Sequence, residues 1–275
     1  MSVIDQMLAR YPVGEGQMDL ALREVMQEIA LAGLYRGGFF DNAAFYGGTC
    51  LRIFYGLPRF SEDLDFSLLQ ADPDFSLEPF FRAIQDEFSA FGFEVTLTAK
   101  EKRVRSTIES AFLKKTSSLY DLAVKGRKTL KIKLEVDKDP PGGFATEERL
   151  LLQPFSFYTK CFVFQDLFAG KMHALLFRKW NNRVKGRDWY DFEWYVRQGA
   201  GLGLAHFVKR GLQSGDIASP CLDERDFRNL LHQRIDSLDV RSAKMDVERF
   251  IPEPRDLDIW SRDYFHALAD RLKFA

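Results

Sequence analysis

Between Phe45 and Leu68 the chain reads FYGGTCLRIFYGLPRFSEDLDFSL. From Ser61 onward it alternates: Ser61, Asp63, Asp65 and Ser67 fall on one side of an extended chain, and Leu64, Phe66 and Leu68 on the other. That is a strand with one wet, acidic face. Asp63 and Asp65, fixed side by side, repel each other and cost stability unless a cation lies between them, so the pair suits a divalent metal; a solvated edge strand with two surface acids is the plainer alternative. Upstream, Gly47-Gly48 enters a helix at Thr49, where glycine lets the backbone approach an anion such as a nucleotide phosphate and the free N–H groups of the first turn point at it. The same pair would also serve as a plain tight turn. The helix Thr49 to Tyr55 stops at Gly56, and Pro58 prevents its continuation. Glycine turn and acidic strand can therefore face one cleft.

The segment Leu130 to Asp137, LKIKLEVD, has the same construction, with Leu130, Ile132, Leu134 and Val136 on one face and Lys131, Lys133, Glu135 and Asp137 on the other. If this strand neighbours the Asp63/Asp65 strand, Glu135 or Asp137 supplies a third carboxylate to the same metal; otherwise it is a salt-bridged amphipathic strand. Asp139, Pro140, Pro141 and Gly142-Gly143 then break the sheet. Elsewhere in this half, Gly16 to Leu34 has the period of an amphipathic helix, with Arg23, Gln27 and Glu28 off its apolar face and an end near Gly37-Gly38. A core helix is expected within Asp72 to Gly92, and strands over Phe93 to Thr98 and Val104 to Phe112.

After Thr146 helical patterns dominate: Asp166 to Trp180, Arg187 to Arg197, Leu202 to Arg210, Asp223 to Leu238 and Arg255 to Phe274. Residues 1–150 are thus expected to form an α+β domain and 151–275 a helical one. In the first of these helices Lys171, Leu175 and Arg178 share a stripe, and Lys171 stands among small and apolar residues. Its ammonium can serve as a point charge for phosphate oxygens, or snorkel at a helix rim. Arg178 to Arg187 carries five cations and Trp180 within ten residues, a composition fitting an RNA or nucleotide-binding rim as well as a solvated loop. Asp188 and Asp191 follow, three apart on one helical face, with Asp188 also able to cap the helix start.

Composition narrows the setting. A net charge of -1 gives no general pull toward nucleic acid. Cys50, Cys161 and Cys221 are odd in number and contain no C-x-x-C pair, and His173, His206, His232 and His266 are scattered, so neither a disulfide framework nor a zinc site is expected. Without a long apolar run or a basic-then-apolar start, the expectation is a soluble, cytoplasmic protein with no membrane partner.

Taken in order, G-G-T, L-R-x-x-Y-G-x-x-R-x-S-x-D-L-D-F, E-V-D, D-L-F-A-G-K-x-x-A-L-x-x-R and K-G-R-D-W-Y-D resemble the AbiEii-type nucleotidyltransferase toxins of the DNA polymerase β-like nucleotidyltransferase superfamily. The resemblance spans Tyr46 to Val196. It implies a nucleotidyltransferase-fold mixed sheet with flanking helices, a helical C-terminal domain, and an NTP held in the cleft between them. Gly47, Gly48, Thr49 and Ser61 then fall in the nucleotide-binding first motif and Asp63 and Asp65 become metal carboxylates. Lys171 matches the lysine of the second motif and Arg187, Asp188 and Asp191 the Arg-Asp-x-x-Asp motif, with Arg178 also on the nucleotide. The third carboxylate stays open between Glu135 and Asp137, with Asp188 also important in the family. The implied cofactor is Mg²⁺ or Mn²⁺, and the implied reaction moves NMP from an NTP to a hydroxyl, with the 3′ end of tRNA leading as acceptor and a cognate antitoxin as partner. A protein or small-molecule hydroxyl is the alternative acceptor, and a non-catalytic nucleotide-binding module the alternative function.

Overall fold

The computed structural model describes residues 2–11, 17–100, 117–125, 130–178 and 184–275. The chain packs as two compact units, one of Met1–Gly56, Phe60–Pro140 and Thr146–Phe162, the other of Leu57–Arg59, Pro141–Ala145 and Val163–Ala275.

In the first unit a mixed sheet is built from β1 (Ala43–Tyr46), β2 (Asp63–Leu68), β3 (Val95–Lys100), β4 (Ser117–Val124), β5 (Leu130–Asp137), β6 (Thr146–Leu151) and β7 (Phe157–Phe162). The strands lie in the order β3-β4-β5-β2-β1-β7-β6. β2 runs antiparallel to β1 and parallel to β5, so β2 lies inside the sheet with a neighbour on each side. Its apolar residues Leu64 and Phe66 are fully buried, as the alternation requires. Phe66 packs edge-on against Phe39 at 4.9 Å between ring centroids and tilted against Phe45 at 5.3 Å. The mixed α+β fold expected from the sequence is the fold observed.

Among the described residues the helices of this unit are α1 (Val3–Leu8), α2 (Met18–Arg36), α3 (Gly47–Tyr55) and α4 (Phe81–Ala90). The expected polar side of α2 is not solvated. Glu24, Gln27 and Glu28 are all buried, because partners from elsewhere cover them. Arg10 pairs with Glu28 at 2.5 Å, the Tyr11 hydroxyl donates to Glu24 at 2.8 Å, and Arg52 of α3 donates to Glu24 at 3.0 Å. Buried carboxylates persist only with such partners. Helix α4 is shorter than the pattern over Asp72 to Gly92, since Pro79 confines the chain before it to a 3-10 turn over Glu78–Phe80. Strands β4, β6 and β7 were not legible as strands, and β6 and β7 carry sheet structure beyond the composition shift at Thr146. The strand expected over Val104 to Phe112 lies outside the described residues.

The second unit contains α5 (Phe164–Phe177), α6 (Gly186–Arg197), α7 (Leu204–Ser214), α8 (Glu224–Asp236), α9 (Val240–Val247) and α10 (Arg262–Arg271). Two short parallel strands, β8 (Gly201–Leu202) and β9 (Lys273–Phe274), tie its chain end to the α6–α7 connection. Its core is aromatic: Phe168 stacks on Tyr195 at 4.1 Å, and Trp189 packs on Phe265 at 4.9 Å. Buried Glu193 accepts from Trp260 Nε1 at 2.6 Å and from the Tyr264 hydroxyl at 2.8 Å. The single helix expected over Arg255 to Phe274 is interrupted: a 3-10 turn covers Pro254–Leu257, and α10 starts afresh from Ser261, whose hydroxyl accepts from the Tyr264 N–H. Among the described residues no helix is long and apolar enough to cross a membrane.

Helices α2 and α4 meet where Gly33 has no side chain. A Cβ there would stand 2.7 Å from Ile84 Cα and 3.1 Å from the Ala83 carbonyl oxygen, both backbone atoms that cannot swing aside. Gly33→Ala is expected to cost about 1–3 kcal/mol through overpacking, read as a lower urea midpoint; an unchanged midpoint would mean that the two helices separate freely.

Candidate active site

The parallel register of β2 and β5 sets Asp63 opposite Lys133, Asp65 opposite Glu135, and Ser67 opposite Asp137. Side chains alternate across a strand, so Asp63, Asp65, Lys133, Glu135 and Asp137 share one face of the sheet. Asp63, Asp65 and Glu135 are partly exposed, whereas Asp137 is buried and accepts the N–H of Asp139 at 3.2 Å. Glu135 is thus the carboxylate level with Asp65, and Asp137 lies one pair further along, beside Ser67. The Lys133 ammonium is 2.6 Å from Glu135 Oε2.

Gly47 opens α3 with φ +82°, a conformation that glycine adopts without strain. A Cβ at this position would collide with the Asp65 carboxylate, whose Cβ and Cγ would be only 3.1 Å away. The missing side chain of Gly47 thus leaves room for the Asp65 carboxylate beside the first turn of α3, where the helix partial charge is positive. Gly48 and Thr49 are buried in the first turn, where the Thr49 hydroxyl donates to the Asp63 carbonyl oxygen. Helix α3 begins two residues earlier than the pattern indicated and ends as expected at Gly56, with φ +75°. Ser61 precedes β2, and its carbonyl accepts from Gln27 Nε2 at 3.3 Å. Around it, Arg23 pairs with Glu62 at 2.7 Å and the Arg52 guanidinium lies over the Phe60 ring at 4.6 Å, so α2 and α3 hold the segment that delivers Asp63.

In the second unit Lys171 on α5 and Asp191 on α6 come together, with Lys171 Nζ 2.8 Å from Asp191 Oδ2. The remaining partner was not singled out from sequence: Arg59 Nε and Nη2 donate to the two Asp191 oxygens, both at 2.6 Å. Asp191 is 0% exposed and Arg59 2%. Burial alone would push the Asp191 carboxyl up, but Arg59 and then Lys171 hold it below the usual carboxylate range. Burial would likewise lower Arg59, but Asp191 and then Asp188 keep its guanidinium above its ordinary value. An acid within RDWYDFEW, on a helix otherwise full of aromatic residues, does indicate a buried cation in the sequence. Nothing local identifies one that lies 132 positions away.

Asp188 is in the first turn of α6 and is not its cap, because the helix starts earlier and Lys185 occupies the capping position. Arg187 lies over the Phe250 ring at 4.3 Å. Arg178 is not on the Lys171 stripe: α5 ends at Phe177, and Arg178 is extended at φ -62° and ψ 121° with its side chain exposed. Residues 179–183 of the basic segment lie outside the described residues.

Among the described residues no group of three or more His, Cys, Asp or Glu is arranged to hold a metal ion. Asp63 and Asp65 fit a less demanding requirement. Mg²⁺ is usually held by one or two carboxylates, with waters and substrate phosphates completing its shell, and these two hard oxygen donors stand on one partly exposed strand face.

A model of the family described as "Nucleotidyl transferase AbiEii toxin, Type IV TA system" matches residues 29–269. Among solved structures, a putative nucleotidyltransferase from H. pylori is 16% identical, with 94% of this chain and 95% of that one covered and a TM-score of 0.52. JHP933 from Helicobacter pylori is 16% identical over 91% and 90% of the two chains at a TM-score of 0.52. MenT4, a nucleotidyltransferase toxin from Mycobacterium tuberculosis H37Rv, is 15% identical over 98% and 88%, with a TM-score of 0.54. No curated protein matches the chain.

Asp191→Asn would remove the buried carboxylate that Arg59 and Lys171 share and is expected to destabilise the protein by about 3–5 kcal/mol in chemical denaturation. Because the folded carboxyl sits below its ordinary value, ionised Asp191 stabilises above the unfolded pKa, and that stabilisation is lost as pH falls through the folded value. The stability gap between wild type and Asp191→Asn should therefore hold steady from about pH 5 to 7 and shrink in stronger acid; a gap growing as pH falls would reverse the assignment.

Proposed function

Because the chain belongs to the AbiEii nucleotidyltransferase toxin family, we propose that it is a metal-dependent enzyme moving NMP from an NTP to the 3′ end of tRNA. Nucleotidyl transfer and the toxin class follow from the family itself; the metal, the acceptor and the residue roles are our reading. The observation that carries it is the β2–β5 register, which sets Glu135 level with Asp65 beside Asp63 and next to the Gly47 turn.

Asp63 and Asp65 would hold Mg²⁺ or Mn²⁺, which when bound supplies Lewis-acid charge for the triphosphate and the leaving pyrophosphate. Among the chain's own groups, Glu135 is favoured over Asp137 as the third carboxylate, since it is partly exposed and level with Asp65. Glu135 accepts the proton of the acceptor hydroxyl as that oxygen attacks the α-phosphorus in line and the bond to pyrophosphate breaks. Lys171 steadies phosphate oxygens with an ammonium that Asp191 orients, while Arg59 fixes Asp191. Asp188 and Arg187, at the start of α6, and Gly48, Thr49, Ser61 and Arg178 complete the nucleotide-handling set. Support for an RNA acceptor lies in the basic composition of residues 178–187. A cognate antitoxin is the partner that membership of a toxin–antitoxin family suggests.

Purified protein incubated with Mg²⁺ or Mn²⁺, each labelled NTP in turn and total tRNA should label RNA. Label appearing on protein would redirect the acceptor, and no transfer from any NTP would count against the reading. Asp63→Ala should reduce transfer to background while changing stability by no more than about 0.5 kcal/mol, since this carboxylate is partly exposed on an open face.

A further inference from the structure

Lys133 is the cation on the acidic face that stands level with Asp63. It lies on β5 directly opposite Asp63 of β2, and on its other side opposite Asp121 of β4. Two positions along its own strand it meets Glu135, and Asp65 is diagonal to it across β2. Its ammonium contacts Glu135 Oε2 at 2.6 Å and its side chain is 39% exposed, so the charged end is not locked into the core.

We propose that Lys133 is a built-in counter-ion of the acidic face, which a divalent cation must displace from Asp63, Asp65 and Glu135 as it binds. The inference rests on the assignment of Asp63 and Asp65 as metal carboxylates. Carboxylates packed on adjacent strands repel, and their repulsion is relieved by any positive charge among them. A lysine tethered at the next strand position does this without outside help, and a divalent ion does it better. An ammonium and a divalent ion beside the same oxygens repel each other, so each weakens the other's hold. Lys133 thus lowers the affinity of the free protein for metal while keeping the site assembled in its absence. The lysine stem is flexible and carries three rotatable donors, so a displaced ammonium can move off the carboxylates without backbone change. Lys133 is in this sense a positioning residue that acts through the carboxylates.

The test measures Mn²⁺ binding to the nucleotide-free full-length protein by electron paramagnetic resonance, together with melting temperature with and without Mn²⁺. Lys133→Gln should bind Mn²⁺ about tenfold more tightly than wild type. It should also melt lower than wild type without metal and gain more from added Mn²⁺. Lys133→Arg, which keeps the charge, should restore near wild-type affinity. Unchanged or weaker Mn²⁺ binding by Lys133→Gln would overturn the proposal. A Lys133→Gln protein unfolded at every Mn²⁺ concentration would overturn it too, because Lys133 would then be needed for folding itself. Asp63→Asn separates this inference from its premise. If wild type binds Mn²⁺ and Asp63→Asn binds it equally well, the metal assignment fails. If Asp63→Asn loses binding but Lys133→Gln leaves it unchanged, only the role of Lys133 fails.

Discussion

Like charges cannot be held on neighbouring positions of a sheet unless something of opposite sign stands with them, and the first unit is arranged around that constraint. Asp63 and Asp65 leave β2 on the same side, and β5 adds Glu135 at the level of Asp65. Two devices offset the resulting repulsion. Asp65 lies against Gly47 at the positive end of α3, where the partial charge of the helix favours an anion. Lys133 is placed by the same strand that supplies Glu135. The geometry of α3 follows from this, since its first residue must be a glycine for the carboxylate to come so near, and the Thr49 hydroxyl then fastens the helix to the Asp63 carbonyl.

The second unit handles a buried charge differently. Asp191 is fully enclosed, and two cations share it, a planar bidentate guanidinium and an ammonium. Arg59 matches both oxygens in one plane and is itself enclosed, whereas Lys171 contacts one oxygen and stays partly open, with 16% of its side chain exposed. One cation is therefore committed to structure. The other reaches Asp191 through a single oxygen from a less enclosed position.

What could be read from the chain beforehand follows the range of the interactions. The acidic strand was legible because a period of two is local, and Asp63 to Leu68 needs no partner to display it. That Glu135 should join it could be stated only conditionally, since a parallel register between β2 and β5 is decided by packing and not by either segment. Gln27 and Glu28 lie off the apolar stripe of α2, yet both are buried, Glu28 against Arg10 and Gln27 against the Ser61 carbonyl, partners no window around α2 contains. Arg59 stands within a quoted motif, but its pairing with Asp191 spans 132 positions and is not local to either segment. Strands β6 and β7 lie between the Pro140-Gly143 break and the first helical pattern at Asp166, and it is pairing with each other, and of β7 with β1, that makes them sheet.

The tripeptide Leu57–Arg59 falls in sequence between α3 and β2, yet packs with the C-terminal unit, to which it contributes the buried partner of Asp191. The helical unit is thus not encoded by any one continuous stretch of the gene. A recombination event that joined residues from Val163 onward to a different N-terminal unit would transfer Asp191 and Lys171 but leave Arg59 behind. Moving that unit intact would require carrying the Leu57–Arg59 tripeptide along with it.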